Sequence, residues 1–126
     1  KNIDLISLVA PTTSDQRLES ICTHARGFIY AVSRAGVTGA RQETSSSAAE
    51  LVRRARQFTD LPIAVGFGIS TAVQIEEVWQ YADAAVVGSA IVSEIERAES
   101  PTSAIANVDR FVRQLLPEFA KTGAEN

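Results

Sequence analysis

The chain has 126 residues, 45% hydrophobic and 21% charged, a balance typical of one globular domain that can bury a core. Its formal net charge of −3 provides no basic surface that would attract nucleic acid or an anionic membrane. No apolar run approaches the roughly 20 residues that span a bilayer, and the start of the sequence lacks the layout of a signal peptide. These features predict a cytoplasmic protein with neither nucleic acid nor membrane as a partner.

Four short apolar runs, rich in β-branched residues, predict strands at residues 3–9, 28–32, 62–66 and 84–88. Their hydrophobicity is nearly continuous, which is typical of parallel strands covered on both faces. Segments with helical periodicity separate the runs. This alternation predicts a single α/β domain over residues 1–126, built from four βα units around a parallel sheet.

The predicted helices have recognisable starts and inward faces. A capping-box pattern at residues 13–16 opens the first, the serines at 45–47 are interpreted as the cap of the second, and Ser70 or Thr71 begins the third. A short fourth helix covers residues 89–98, and Pro101 separates it from a fifth. The inward faces are Leu18, Ile21, Cys22 and Ala25; Leu51, Val52, Ala55 and Phe58; Ile75, Val78, Trp79 and Ala82; and Ile105, Val108, Phe111, Val112 and Leu115, while Arg53, Arg54 and Gln57 face water.

The chain has one cysteine, Cys22, and one histidine, His24, both in the first predicted helix. A lone thiol can form neither an internal disulfide nor a metal-binding cluster, so we expect Cys22 to be buried and structural. A histidine that acts as a base needs an orienting partner, and none is evident near His24. We therefore predict a solvated His24 and no metal site.

Glycine and hydroxyl side chains dominate the segments that follow the four runs, which are residues 10–13, 33–39, 66–70 and 88–90. Ligands of parallel α/β proteins bind at the carboxyl ends of strands. Glycines let backbone N–H groups approach a ligand, and a helix that begins at Ser89 adds the free N–H groups of a helix N-terminus. The alternative is that the glycines only form tight turns. The two last segments together favour a phosphate site.

None of these four segments contains Asp, Glu or His. The acids nearest to the strands, Asp4, Asp60 and Asp83, lie at or before strand starts, where residues usually serve stability. Tyr30 is the titratable side chain inside a run, and a phenol is a better hydrogen-bond donor than a base at neutral pH. The chain therefore contains no predicted catalytic acid or base.

Three motifs occur in the order and spacing of tryptophan synthase alpha subunits: Ser-Arg-Ala-Gly-Val-Thr-Gly at 33–39, Pro-Ile-Ala-Val-Gly-Phe-Gly-Ile-Ser at 62–70 and Gly-Ser-Ala-Ile-Val at 88–92. The chain resembles that family over nearly its whole length. The resemblance implies the C-terminal half of a TIM (βα)8 barrel. That family cleaves indole-3-glycerol phosphate to indole and glyceraldehyde 3-phosphate without a cofactor. It passes the indole to a beta subunit that uses pyridoxal phosphate.

The resemblance also implies roles for individual residues. Tyr30 and Phe67 would line the substrate pocket, and Thr38, on a mobile loop at 34–44, would help to close the site and orient a catalytic aspartate. That aspartate and the catalytic glutamate belong to early strands absent from this sequence, so the chain alone should be inactive. The substrate phosphate would be held by Gly39, Phe67, Gly68, Ile69, Gly88 and Ser89.

Several interpretations stay open at this point. The implied partners are the tryptophan synthase beta subunit, indole-3-glycerol phosphate and the missing N-terminal half-barrel. A second copy of the chain could replace that half, because four parallel strands leave two edges to pair, and the product would be a non-catalytic, self-associating phosphate-binding half-barrel. A relative of indole-glycerol-phosphate synthase or phosphoribosylanthranilate isomerase is disfavoured by the motif at 33–39.

Overall fold

The computed structural model describes residues 2–33 and 41–116, with side chains described in 2–33 and 46–116. Strands and helices alternate through the first eight elements, which confirms the predicted α/β class. In chain order the elements are β1 (Ser7–Val9), α1 (Asp15–His24), β2 (Ile29–Val32), α2 (Arg41–Arg56), β3 (Ile63–Gly66), α3 (Ala72–Trp79), β4 (Ala84–Ala85), α4 (Ser89–Glu96) and α5 (Pro101–Leu115).

The chain divides into two compact units. The first comprises residues up to 67 plus 78–86, and it contains the whole sheet together with α1 and α2. The second comprises residues 68–77 plus those from 87 onward, and it contains most of α3 with α4 and α5. Within the second unit, α4 packs against α5.

The sheet has the order β1-β2-β3-β4, and every neighbouring pair is parallel. The carboxyl ends of all four strands therefore share one edge. Strands β1 and β4 have a neighbour on one side each. The register aligns one residue of each strand in a single row across the sheet: Leu8, Tyr30, Ala64 and Ala84.

The two faces of this sheet differ in burial. On one face Ile29, Ala31 and Val65 are at most 1% exposed, next to α2, which contacts β2. On the other face Leu8 is 60% exposed and Ala84 is exposed as well. The prediction of cover on both faces is thus wrong for the outer strands. An apolar run indicates that a strand needs cover, but the covering element need not belong to the same 126 residues.

The strands are shorter than predicted. Residues 3–6 lie outside β1, where Ile3 and Leu5 are 85% and 84% exposed, and residues 86–88 lie outside β4. Residues 28 and 62 also fall outside their strands. Apolar composition shows where a strand can form, but it does not show where hydrogen bonding to the neighbouring strand ends. In the sheet, β1 and β4 each pair with one neighbouring strand. Gly88 caps α4 instead of extending β4.

Helix α2 begins earlier than predicted. The serines at 45–47 lie inside it rather than at its cap, and residues 41–44 of the expected mobile loop are helical too. A serine inside a helix costs only about 0.5 kcal/mol. Burial of Ala48, Leu51 and Ala55, each at most 1% exposed, outweighs that cost. Residues 34–40 of the same loop lie outside the described residues.

Arg54 does not face water as predicted, and its side chain is only 19% exposed. Its guanidinium Nε donates to Asp15 Oδ1 at 2.9 Å. The two Nη atoms donate to the carbonyl oxygens of Pro11, at 3.3 Å, and Thr13. Arg54 therefore fastens the turn after β1 to α2. Helical periodicity gives the direction of a side chain but does not reveal which neighbour lies in that direction.

The environments of Cys22 and His24 are those that the sequence predicts. Cys22 is buried, and this burial raises the pKa of its thiol. His24 is exposed, and its Nδ1 lies 2.8 Å from the carbonyl oxygen of Ser20. Among the described residues, no cluster of His, Cys, Asp or Glu could hold a metal ion, and no helix there is long and apolar enough to cross a membrane.

Most predicted inward faces are confirmed, and α5 is the exception. Leu18 and Val78 are fully buried, as their helical stripes predict. On α5, however, Ile105 is 73% exposed and Val112 is 36% exposed, whereas Leu115 is buried. The amphipathic pattern of α5 therefore needs more cover than its contact with α4 supplies.

Asp83 joins the start of β4 to β3 at the amino-end edge of the sheet. Its Oδ2 accepts hydrogen bonds from the Ile63 N–H and from Arg56 Nη2, both at 2.8 Å. Its own N–H donates to the Ile63 carbonyl at 3.0 Å. The bond from Ile63, with that from Arg56, holds the pKa of the Asp83 carboxyl below its ordinary value. This is the stabilising role expected of an acid at this edge.

We predict that Asp83→Ala lowers the free energy of unfolding by about 1 kcal/mol near neutral pH, because two hydrogen bonds are lost. The value stays small because the carboxylate is 45% exposed. Because the pKa of Asp83 is lower in the folded state, its ionised carboxylate stabilises the fold at pH values above its unfolded pKa of about 3.9. That stabilisation disappears as the pH falls through the folded value. Urea unfolding of both proteins at about pH 7 and about pH 2 measures the difference, which should shrink in acid.

Asp109→Ala is the matched control, since it removes an exposed ion pair with Arg113 on α5. It should change the free energy of unfolding by less than about 0.5 kcal/mol. An Asp83→Ala effect of equal size at both pH values would contradict the prediction.

Candidate functional site

Tyr30 and Gly66 lie on one face of the sheet at the carboxyl end of β3. The register pairs Tyr30 with Ala64 and Val32 with Gly66, so both side-chain positions point to the same side. A Cβ atom added at Gly66 would lie 2.7 Å from Tyr30 Oη and 3.3 Å from the ring atoms Cε2 and Cζ. Only glycine fits beneath this ring. The predicted pocket residue Tyr30 is therefore in contact with the start of the predicted phosphate segment.

The segment after β3 combines buried side chains with an accessible backbone. Phe67 is 8% exposed and Ile69 is 1% exposed, so both anchor the segment. Between them, Gly68 has a φ of +84°, in the left-handed region that residues with a Cβ rarely adopt. A Cβ at Gly68 would meet no atom within 4 Å. The backbone at Gly68 thus faces open space that a ligand can enter.

Gln74 fastens the end of this segment to α3. Its Oε1 accepts hydrogen bonds from the N–H groups of Ser70, at 2.8 Å, and Thr71, at 3.2 Å. The Gln74 N–H donates in return to Thr71 Oγ1 at 3.2 Å, which completes a capping box. Gln74 was absent from the predicted site, although its Thr-x-x-Gln spacing is a sequence-level signal for this role.

Helix α4 begins at Ser89 with Gly88 as its N-cap, and no side-chain hydrogen bond caps it. The carbonyl of Gly88 accepts from the N–H groups of Ile91, at 2.9 Å, and Val92, at 3.1 Å. The first N–H groups of an α-helix have no acceptor within the helix, so those of Ser89 and its successor point out of the helix end. The helix dipole makes this position favourable for an anion.

The predicted site residues are divided between the two compact units and the residues outside the described ranges. Gly68, Ile69, Gly88 and Ser89 lie in the second compact unit, whereas Phe67 and Tyr30 belong to the first. Thr38 and Gly39 lie outside the described residues. The described segments offer backbone N–H groups and hydroxyls, and the sequence after each strand carries no Asp, Glu or His. This chemistry suits recognition of an anion better than proton transfer.

Four parallel strands that alternate with helices define a protein of the α/β class built from βα units. The sequence model of the tryptophan synthase alpha chain family matches residues 1–120. The chain belongs to the tryptophan synthase alpha chain family.

Curated relatives are much longer than this chain. The tryptophan synthase alpha chain of Methanopyrus kandleri is 49% identical over 120 residues, which are 94% of this chain and 42% of that protein. That of Chloroflexus aggregans is 44% identical over 115 residues, 91% of this chain and 43% of that protein. The chain thus spans 42–43% of the length of these relatives.

Solved structures of the family show the same relation. Tryptophan synthase from M. tuberculosis in its aminoacrylate-bound form matches with a TM-score of 0.72 and 32% identity, over 90% of this chain and 39% of that one. The alpha subunit from Campylobacter jejuni matches with a TM-score of 0.72 and 34% identity, over 85% of this chain and 43% of that one. These matches confirm the predicted family and a fold of four βα units that corresponds to part of a larger barrel.

We predict that Gly66→Ala destabilises the fold by about 1–3 kcal/mol, because its Cβ overlaps the Tyr30 hydroxyl. The second change Tyr30→Phe should recover most of this loss, since the remaining ring contacts at 3.3 Å need only a small shift. Thermal or urea unfolding of the single and double variants measures the recovery.

Gly68→Ala serves as the matched comparison. It should cost about 1–2 kcal/mol through its left-handed φ, and Tyr30→Phe should not recover that loss. If Tyr30→Phe rescues both glycine variants equally, or neither, the contact between Tyr30 and Gly66 is not what requires glycine.

Proposed function

We propose that this chain is the phosphate-binding C-terminal half of an indole-3-glycerol phosphate lyase, which releases indole and glyceraldehyde 3-phosphate. Membership of the tryptophan synthase alpha chain family over residues 1–120 supports the reaction. The observation that carries the proposal is the pairing of two facts. Accessible backbone follows β3 and precedes α4, at Gly68 and Gly88, while the segments 10–13, 33–39, 66–70 and 88–90 contain no acid or histidine.

In this proposal the chain binds and orients the substrate but does not transfer protons. The N–H groups around Gly68 and at the start of α4 would hold the substrate phosphate, with Phe67 and Tyr30 beside the indole-glycerol moiety. Thr38 would help to close the site. General acid–base catalysis needs a proton donor and a proton acceptor within hydrogen-bond reach, and both would come from outside these 126 residues. The proposed phosphate-binding residues are Gly39, Phe67, Gly68, Ile69, Gly88 and Ser89.

We further propose that a second half-barrel completes the site. The open face at Leu8 and Ala84 and the outer edges of β1 and β4 support this, because exposed apolar area is unfavourable by about 25 cal/mol per Å² and unpaired strand edges seek partners. The relatives carry the remaining length in the same polypeptide, so completion by an N-terminal half is favoured over a second copy. The beta subunit as a partner and a cytoplasmic location rest on the family alone.

The proposed phosphate site predicts that Gly68→Val weakens phosphate binding. The variant is tested in the longest polypeptide that contains this chain. Valine at a φ of +84° is strained, so the segment must rearrange and its N–H groups lose their direction. The affinity for glycerol 3-phosphate, measured by calorimetry, should fall about tenfold or more. Val73→Thr, at an exposed position of the same unit, should bind normally. Unchanged affinity in Gly68→Val would exclude this segment as the phosphate site.

Complementation tests the proposed function itself. Each acid or base contributes about 10²–10⁴-fold to the rate, so the chain alone should release indole at least about 10⁴-fold more slowly than the complete barrel. Adding the N-terminal portion of the Methanopyrus kandleri relative should restore indole release and give a one-to-one complex in sedimentation. Indole release at full rate by this chain alone would contradict the proposal. A stable complex of two copies that ignores the added half would favour the self-associating alternative.

A further inference from the structure

We propose that Gln74 positions the phosphate-binding segment, and that its uncharged amide sets the affinity of this segment for an anion. This inference rests on the proposed phosphate site. It concerns a residue that touches no substrate in the proposed binding mode, so Gln74 is a positioning residue.

Gln74 determines which backbone N–H groups of the segment remain available to a ligand. Gln74 Oε1 accepts from the N–H groups of Ser70 and Thr71, at 2.8 Å and 3.2 Å. A backbone N–H offers one donor, so these two are no longer available to a ligand. Within the described part of the chain, no hydrogen bond engages the N–H of Gly68 or Ile69. Gln74 thereby leaves Gly68 and Ile69 as the donors that the segment can direct to a phosphate.

Gln74 also fastens the end of the segment to α3. Gly68 has the left-handed φ that turns the chain, and Ile69 is anchored by burial, but Ser70 and Thr71 are exposed. Their two hydrogen bonds to Gln74 Oε1 join the end of the turn to α3, together with the bonds that Thr71 accepts from the N–H groups of Gln74 and Ile75. Both partners lie in residues 68–77, which belong to one compact unit. Loss of the acceptor oxygen would free the end of the segment.

The side chain of Gln74 caps α3 without adding a negative charge. A capping box is completed equally well by glutamate or glutamine at this position, and glutamate would also interact favourably with the helix dipole. The first turn of α3 nevertheless contains no acid. A carboxylate at position 74 would make the same two hydrogen bonds but would repel a dianionic phosphate held a few residues away. Glutamine provides the cap without that repulsion.

The experiment uses the longest polypeptide in which the chain occurs, with glycerol 3-phosphate and inorganic phosphate as probes in calorimetry and hydrogen exchange at Ser70 and Thr71. Gln74→Met keeps the length of the side chain but removes the acceptor. It should lose amide protection and bind about tenfold more weakly, with little dependence on salt. Gln74→Glu should keep the amide protection but bind about tenfold more weakly at low salt, and high salt should restore most of the affinity.

Val73→Glu is the matched charge control, because it adds the same charge to the same helical turn at a side chain that is 63% exposed. Its affinity should change less than about threefold. Wild-type affinity in Gln74→Met, or in Gln74→Glu at low salt, would overturn the inference while the phosphate site stands. Failure of the unaltered protein to bind either probe would overturn both. If Gln74→Met does not fold, Gln74→Glu still decides, since it retains the capping bonds.

Discussion

Parallel pairing of the four strands is the constraint on which the rest of this structure depends. It directs all amino ends to one edge of the sheet and all carboxyl ends to the other. This arrangement separates two kinds of groups. Side chains that hold the strands together lie at one edge, and backbone that can contact a ligand follows the other. The ion-paired Asp83 lies at the first edge, and the glycine at position 66 lies at the second, under the ring of Tyr30.

Each edge is stabilised by different chemistry, for a physical reason. At the amino edge the carboxylate of Asp83 accepts hydrogen bonds from a strand N–H and from an arginine. In the segment that follows β3, the neutral amide of Gln74 accepts from the N–H groups of Ser70 and Thr71. A neutral acceptor suits the proposed phosphate site, because a carboxylate there would repel an anion. Arg54 similarly uses carbonyl oxygens to fasten the turn after β1, outside any proposed phosphate contact.

The exposed apolar residues support the proposal that a further half-barrel completes the fold. Leu8 is 60% exposed in the same row as the buried Ala64. Ile105 is 73% exposed on the amphipathic helix α5, whose apolar face is only partly buried. Relatives more than twice as long supply a direct explanation. In the proposed complete barrel, additional elements would cover the apolar surfaces that these 126 residues leave exposed.

Local sequence patterns were sufficient to predict the α/β class, the number of strands along the chain, the start of α3 and the segments that carry the glycines, because periodicity, capping and backbone freedom are local properties. The position of Gly66 under Tyr30, the contact of Arg54 with the turn after β1 and the short outer strands became visible in the folded structure alone. Those features depend on register and on which element is the neighbour. Contacts between residues distant in the sequence are fixed by packing in three dimensions, which no local pattern records.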